Sequence, residues 1–156
     1  MCGIFGILTD NNNLINPDFL YTALDTLQNR GPDSKDIWIS QNKKYGLGHT
    51  RLSIQDLSSN ASQPMFNKKN NIGIVFNGEI YNHKKIRINK NFRSDIKWRS
   101  QSDTETILNT YIEYGIEKTL DSLNGMFAFA IIDLSLNKVF LCRDRIGEKP
   151  LYLYQD

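Results

Sequence analysis

The sequence predicts an α+β fold in which helices pack on largely antiparallel sheets. Three observations carry this. Short apolar runs bounded by polar or glycine-containing turns come in groups, only a few capped amphipathic segments are interspersed among them, and no strand–helix unit repeats as it would in a parallel α/β protein. With 156 residues and 40% hydrophobic side chains, the chain has room for one domain with a proper core.

Taken in order, residues 4–8 are an apolar run between Gly3 and the asparagine-rich turn at 10–13, and read as a buried strand with Cys2 at its mouth. Asn16-Pro17-Asp18 supplies an N-cap, a proline at the first helical position and an acid in the first turn. Leu20, Leu24 and Leu27 then recur at helical spacing, which predicts a helix over 17–29. Arg30-Gly31-Pro32-Asp33 breaks it, and 37–39, 45–54 and 72–76 read as strands. Ser102-Asp103-Thr104-Glu105 is a capping-box pattern opening an apolar face of Ile107, Leu108, Tyr111 and Ile112, with Gly115 placed to end the helix. Ile116, Leu120 and Leu123 indicate a shorter third helix, and 126–133, 138–143 and 151–154 read as strands of a hairpin-rich sheet.

Composition narrows the function classes. Nineteen basic against seventeen acidic side chains leave a net charge of +2, so no global field draws the chain to nucleic acid or anionic membrane. The basic stretch 83–99, where Lys84, Lys85, Arg87, Lys90, Arg93, Lys97 and Arg99 surround Phe92 and Trp98, reads as a solvated loop or helix rather than a nucleic-acid surface. No apolar run approaches the ~20 residues that span a bilayer, and the start lacks a signal-peptide pattern, so the cytoplasm is the expected compartment. The two histidines, His49 and His83, and the two cysteines show no metal-ligand spacing; no metal site is expected, His49 reads as an ordinary hydrogen-bonded strand residue, and Cys142 reads as a small buried hydrophobe.

Chemistry concentrates at the N-terminus. Removal of Met1 would leave Cys2 with both a thiol, the best neutral-pH nucleophile, and an α-amine whose reference pKa of ~8 suits it as the base. Cleaving an amide also requires donors for the tetrahedral oxyanion. Asn77-Gly78, directly after the 72–76 strand, offers an amide side chain and an unhindered N–H, although the same dipeptide is the commonest tight turn. If the substrate is glutamine, its carboxylate wants an arginine and its ammonium wants carboxylates. Arg51 and Asp103 are candidates; singly, each reads as a surface ion or a helix cap.

Together these pieces resemble the class II glutamine amidotransferase domain of asparagine synthetases, which are N-terminal-nucleophile hydrolases. Eight blocks in order carry the resemblance: 1–6, Arg30-Gly31-Pro32-Asp33, 49–54, 61–65, 76–82, Ser102-Asp103-Thr104-Glu105, 125–130 and 143–152. Leu52 and Pro32 set the chain apart from the glucosamine-6-phosphate synthase branch. The resemblance implies a four-layer sandwich of two mainly antiparallel sheets between helical layers, and a chain that covers residues 1–156 of a glutaminase domain incomplete at its C-terminal end, with the synthetase domain absent. It makes Cys2 the nucleophile and Asn77 and Gly78 the oxyanion hole. Arg51, Glu79 and Asp103 hold glutamine, and Leu52, Ser53, Ile54 and Gln55 line its pocket.

The implied reaction is hydrolysis of glutamine to glutamate and ammonia, feeding ATP-dependent amidation of aspartate by a synthetase domain. The alternatives are amidation of another acceptor in surface polysaccharide or secondary metabolism, or a catalytically silent fragment that keeps the fold. No cofactor is implied for the glutaminase step. ATP and Mg belong to the synthetase domain, whose Ser-Gly-Gly-containing loop has no counterpart here. The implied partners are L-glutamine and a C-terminal synthetase domain, with neither nucleic acid nor membrane, and an unpaired sheet edge that favours self-association into an oligomer. Residues 143–149 match a family signature whose chemistry the sequence alone does not disclose.

Overall fold

The computed structural model describes residues 1–9, 14–67, 71–89 and 96–155. The asparagine-rich turn at 10–13 and Lys90, Phe92 and Arg93 of the basic stretch lie outside the described residues. Among the described residues seven strands form two sheets, both antiparallel throughout. One has the order β1-β3-β2, built from β1 (Gly3–Leu8), β2 (Ser34–Ile39) and β3 (Tyr45–Arg51). The other has the order β4-β5-β6-β7, built from β4 (Met65–Asn67), β5 (Ile72–Ile80), β6 (Gly125–Asp133) and β7 (Lys138–Arg143). Helix α1 (Pro17–Asp25) covers the outer face of the first sheet. The short α2 (His83–Arg87) packs on α3 (Asp103–Ser122), which covers the second, and β5 meets β1 and β3 between them. The result is the four-layer order helix, sheet, sheet, helix.

Strand alternation explains the layering. On β5, Ile74, Phe76 and Ile80 point toward α3 and join Ile107, Leu108, Phe129 and Ile131, while Val75 points the other way and joins Leu47, Ala130 and Ile132 between the sheets. A strand apolar on both faces belongs in the middle of the stack. By the same parity Asn77 and Glu79 face the first sheet, the side from which Cys2 arrives.

The elements start where their caps put them. The Asn16 Oδ1 accepts the Asp18 N–H at 3.0 Å, and the Ser102 hydroxyl accepts the Thr104 N–H at 3.1 Å. Gly115, at φ +77°, divides α3 into the two helices expected on either side of it. Other boundaries differ. The helix of α1 stops at Asp25, and Gln28–Arg30 tightens into a 3₁₀ turn, so the expected helix over 17–29 is shorter. The expected strand 45–54 ends at Arg51, where the chain leaves the sheet to form a loop over the site. Residues 151–154 are not a strand: none of the described residues offers them a ladder, and Tyr152 and Tyr154 are about nine-tenths exposed. In the capping pattern, Glu105 bypasses the Ser102 N–H and instead accepts from Arg99 N and Ser100 N.

A candidate active site between the sheets

The site begins with β1. Thr50 Oγ1 accepts the Gly3 N–H at 3.1 Å, and a Cβ on Gly3 would lie 2.5 Å from that same oxygen, so glycine lets the chain start press against β3. Arg30 Nε donates to the Cys2 carbonyl at 3.0 Å. Held from both sides, the half-buried Cys2 puts its sulfur beside Leu52, whose N–H points at Sγ from 3.4 Å. The motif that follows α1 has a mechanical purpose. A Cβ on Gly31 would lie 2.4 Å from the Thr50 backbone, Asp33 N donates to the Arg51 carbonyl at 3.0 Å, and Asp33 Oδ2 accepts the Ser53 N–H at 2.7 Å. Arg30 to Asp33 therefore fixes both Cys2 and the loop opposite it.

That loop, residues 52–58, is organised by Arg51. The buried guanidinium donates to the carbonyls of Ser58, at 3.0 Å, and Asp56. Both acceptors are neutral. Asp56 in turn accepts the Ser58 and Gln101 N–H groups, which hold its carboxyl below the usual range together with the Ser58 side chain and tie the loop to the approach of α3.

Asn77 and Gly78 are not a turn, because β5 runs through them to Ile80. Beyond β4, one edge of β5 has no strand partner among the described residues. Along that edge the Phe76 N–H donates to Gln63 Oε1 at 2.6 Å and the Ile80 N–H to Asp103 Oδ2 at 2.9 Å. Gly78 lies midway, and by antiparallel alternation its N–H points out of the same edge, between those two side chains. Its partner across the ladder agrees: Phe127 turns its own N–H away, to Asp144 at 3.1 Å. A Cβ on Gly78 would lie 2.2 Å from the Met126 carbonyl oxygen, so the glycine is a packing requirement of the sheet as well.

Asp103 faces this edge from the start of α3. Burial drives its pKa up to about 6, partly offset by N–H donors from Ile80 and Thr104 and increased by the neighbouring Glu79. Two carboxylates crowded in this way form a site that gains from a cation. Cys2, Asn77, Gly78, Arg51, Glu79, Asp103 and Leu52, Ser53, Ile54 and Gln55 all line one pocket of about 130 Å³. Ile54 and Gln55 stand at its exposed rim.

Sequence reasoning missed several supports. Gln63 is buried and also donates to Thr104 Oγ1 at 3.2 Å, joining β5 to α3; it lies in the 61–65 block, to which the resemblance assigns no role. The 143–149 motif is a turn wound around Asp144. Burial raises the pKa of this carboxyl, but N–H groups of Lys149, Glu148, Phe127 and Gly147 outweigh burial and hold it at about 2. Arg143 closes the turn on the carbonyls of Gly147 and Lys149, each at 2.6 Å. The turn seats Lys149 in the pocket, its Nζ 3.0 Å from the Met1 sulfur.

His49 is a strand residue with one hydrogen bond, to the Phe76 backbone, but its Nε2 is buried without a partner. Cys142 is buried, and burial pushes its thiol up to about 11. Among the described residues no three His, Cys, Asp or Glu side chains are grouped to hold a metal ion, and no helix is long and apolar enough to cross a membrane. In the described part of the basic stretch Lys84, Lys85, Lys97 and Arg99 are exposed, as expected of a solvated loop or helix, whereas His83 is buried and Arg87 and Trp98 are packed together.

The fold and sequence have relatives. A solved glutamine phosphoribosylpyrophosphate amidotransferase from B. subtilis matches 85% of this chain and 34% of its own, with a TM-score of 0.65 at 19% identity, a likeness of fold. "Amidase chry2" of Gibberella zeae is 35% identical over 97% of the chain and 24% of its own length. "Asparagine synthetase B [glutamine-hydrolyzing]" of Escherichia coli is 38% identical over all of the chain and 27% of its own length. The chain thus spans about a quarter of the length of these curated relatives, and corresponds to the N-terminal part of the asparagine synthetases. The model of the family described as "Glutamine amidotransferase domain" matches residues 1–156, and the chain belongs to that family.

Proposed function

We propose that this chain hydrolyses glutamine with Cys2 as nucleophile once Met1 is removed, and that the ammonia serves a synthetase domain. The observation that carries the reading is the convergence of a thiol, an outward-facing strand N–H at Gly78, the Arg51 cation and the Glu79–Asp103 carboxylates on one small pocket. Arg51 binds the substrate carboxylate, since among the described residues its guanidinium donates to the neutral carbonyls of Ser58 and Asp56; Glu79 and Asp103 bind the ammonium. Leu52, Ser53, Ile54 and Gln55 close over the side chain. The Cys2 sulfur attacks the amide carbon while its proton passes to the Cys2 α-amine. The oxyanion forms against the Gly78 N–H and the Asn77 amide. Collapse breaks the C–N bond, and the α-ammonium returns the proton to the departing ammonia. Water then attacks the thioester, giving glutamate and restoring the thiol.

The preferred acceptor of the ammonia is aspartate, in line with the relatives named for asparagine synthesis; ATP and Mg would act in the synthetase part, not at this pocket. A free catalytic thiol suits the reducing cytoplasm. Ammonia release by the purified protein, with its N-terminal residue verified by mass, tests the proposal. Cys2→Ala is expected to abolish release, and undiminished activity in that variant removes the mechanism.

A further inference from the structure

We infer that Arg87, in the stretch that sequence composition marks as merely basic, is a positioning residue for the substrate ammonium; this rests on the glutaminase reading above. Arg87 ends α2, seven residues beyond Ile80, and its guanidinium is spent on the segment leading into α3. Nη1 donates to the Ser100 carbonyl at 2.8 Å, Nη2 to the Ser102 carbonyl, and Nε to Thr106 Oγ1 at 2.7 Å, while the guanidinium lies 4.1 Å from the centre of the Trp98 ring. From the opposite side the buried Glu105 accepts the Ser100 N–H and hydroxyl, both at 2.8 Å, and the Arg99 N–H at 3.0 Å. Residues 100–102 are therefore clamped between a fork and a carboxylate. The next residue is Asp103.

The clamp matters because Asp103 must do two things at once. It accepts the Ile80 N–H from the end of β5, and it must present a charged carboxylate toward Glu79. A carboxylate this buried stays useful only if its backbone cannot drift, and the planar guanidinium supplies three fixed donors where a lysine has a single mobile head. Ordering the stretch around Trp98 sets aside what would otherwise be a loose basic loop.

The test is calorimetric titration of the purified protein in a Cys2→Ala background, so that nothing turns over. The ligands are glutamine and 4-carbamoylbutanoate, which is glutamine with hydrogen in place of the α-ammonium. With Arg87 present, glutamine is expected to bind at least tenfold more tightly than the analogue. Arg87→Met should weaken glutamine about tenfold and leave the analogue within twofold, with Arg87→Lys in between. Equal weakening of both ligands, or an undiminished preference for glutamine, overturns the inference. If Arg87→Met does not fold, Trp98→Leu should narrow the preference about threefold, and an unchanged preference there refutes it. The glutaminase reading fails separately, by ammonia release that survives Cys2→Ala.

Discussion

Asp103 makes the proposed ammonium site sensitive to pH in a window where glutamine itself does not titrate. Its carboxyl is nearly fully buried, and its pKa rises from 3.8 to about 6, chiefly through burial, with Glu79 adding to the rise. In the empty pocket the ionised form is therefore disfavoured by about 3 kcal/mol relative to an unfolded chain. An ammonium binds only the ionised form. At pH 7.5 Asp103 is charged and affinity is at its plateau; at pH 5 about one molecule in ten is ready, so the dissociation constant for glutamine should be about tenfold larger. Titration of the Cys2→Ala protein between pH 5 and 8 measures it. Asp103→Asn should bind weakly and with no step near pH 6. A constant affinity from pH 7.5 to 5 in the protein with Asp103, or an identical step in Asp103→Asn, would refute the assignment of Asp103 to the ammonium.

Two buried titratable groups, His49 and Asp103, set opposing trends in stability. Burial lowers His49 from 6.5 to about 4, so its neutral form stabilises the fold fully above pH 6.5, and about 3 kcal/mol is lost as pH falls toward 4. Asp103 works the other way, stability rising as pH falls from 6 toward 3.8. Urea midpoints at pH 7 and 4.5 should therefore shift oppositely: relative to the parent, His49→Gln should gain at acid pH and Asp103→Asn should lose, and parallel shifts contradict the burial argument. Gly78→Ala forces a methyl within 2.2 Å of the Met126 oxygen and 2.7 Å of the Phe127 Cα, neither of which can swing away. It should cost about 1–3 kcal/mol in thermal melts and remove ammonia release together, because β5 must part from β6 at the residue whose outward N–H is proposed to hold the oxyanion.

Much was legible because the rules are local. The caps at Asn16 and Ser102, the break at Gly115 and the strands 138–143 and 126–133 follow from side chains a few residues apart, and the structure places them within a residue or so. The expected strand 151–154 failed for the complementary reason. Alternation and apolar content were right, but a strand exists only if another strand offers its N–H and C=O groups, and none of the described residues does.

By itself, then, the chain's order of residues determined most of the elements, the mix of helices on largely antiparallel sheets and the set of groups that could act on an amide. Which way those groups face was decided only in three dimensions. Asn77-Gly78 is a turn by composition; it becomes an open strand edge because Gln63, 13 residues before Phe76, and Asp103, 23 residues after Ile80, take the neighbouring N–H groups. Cys2 meets Leu52 across 50 positions, and Lys149 reaches Met1 across 148. Arg87 changes from a surface charge to a brace once Ser100, Ser102 and Trp98 fold around it. Periodicity and capping act over one or two turns of chain, whereas a hydrogen-bond donor acquires its role from whichever distant acceptor packing brings to it, or fails to bring.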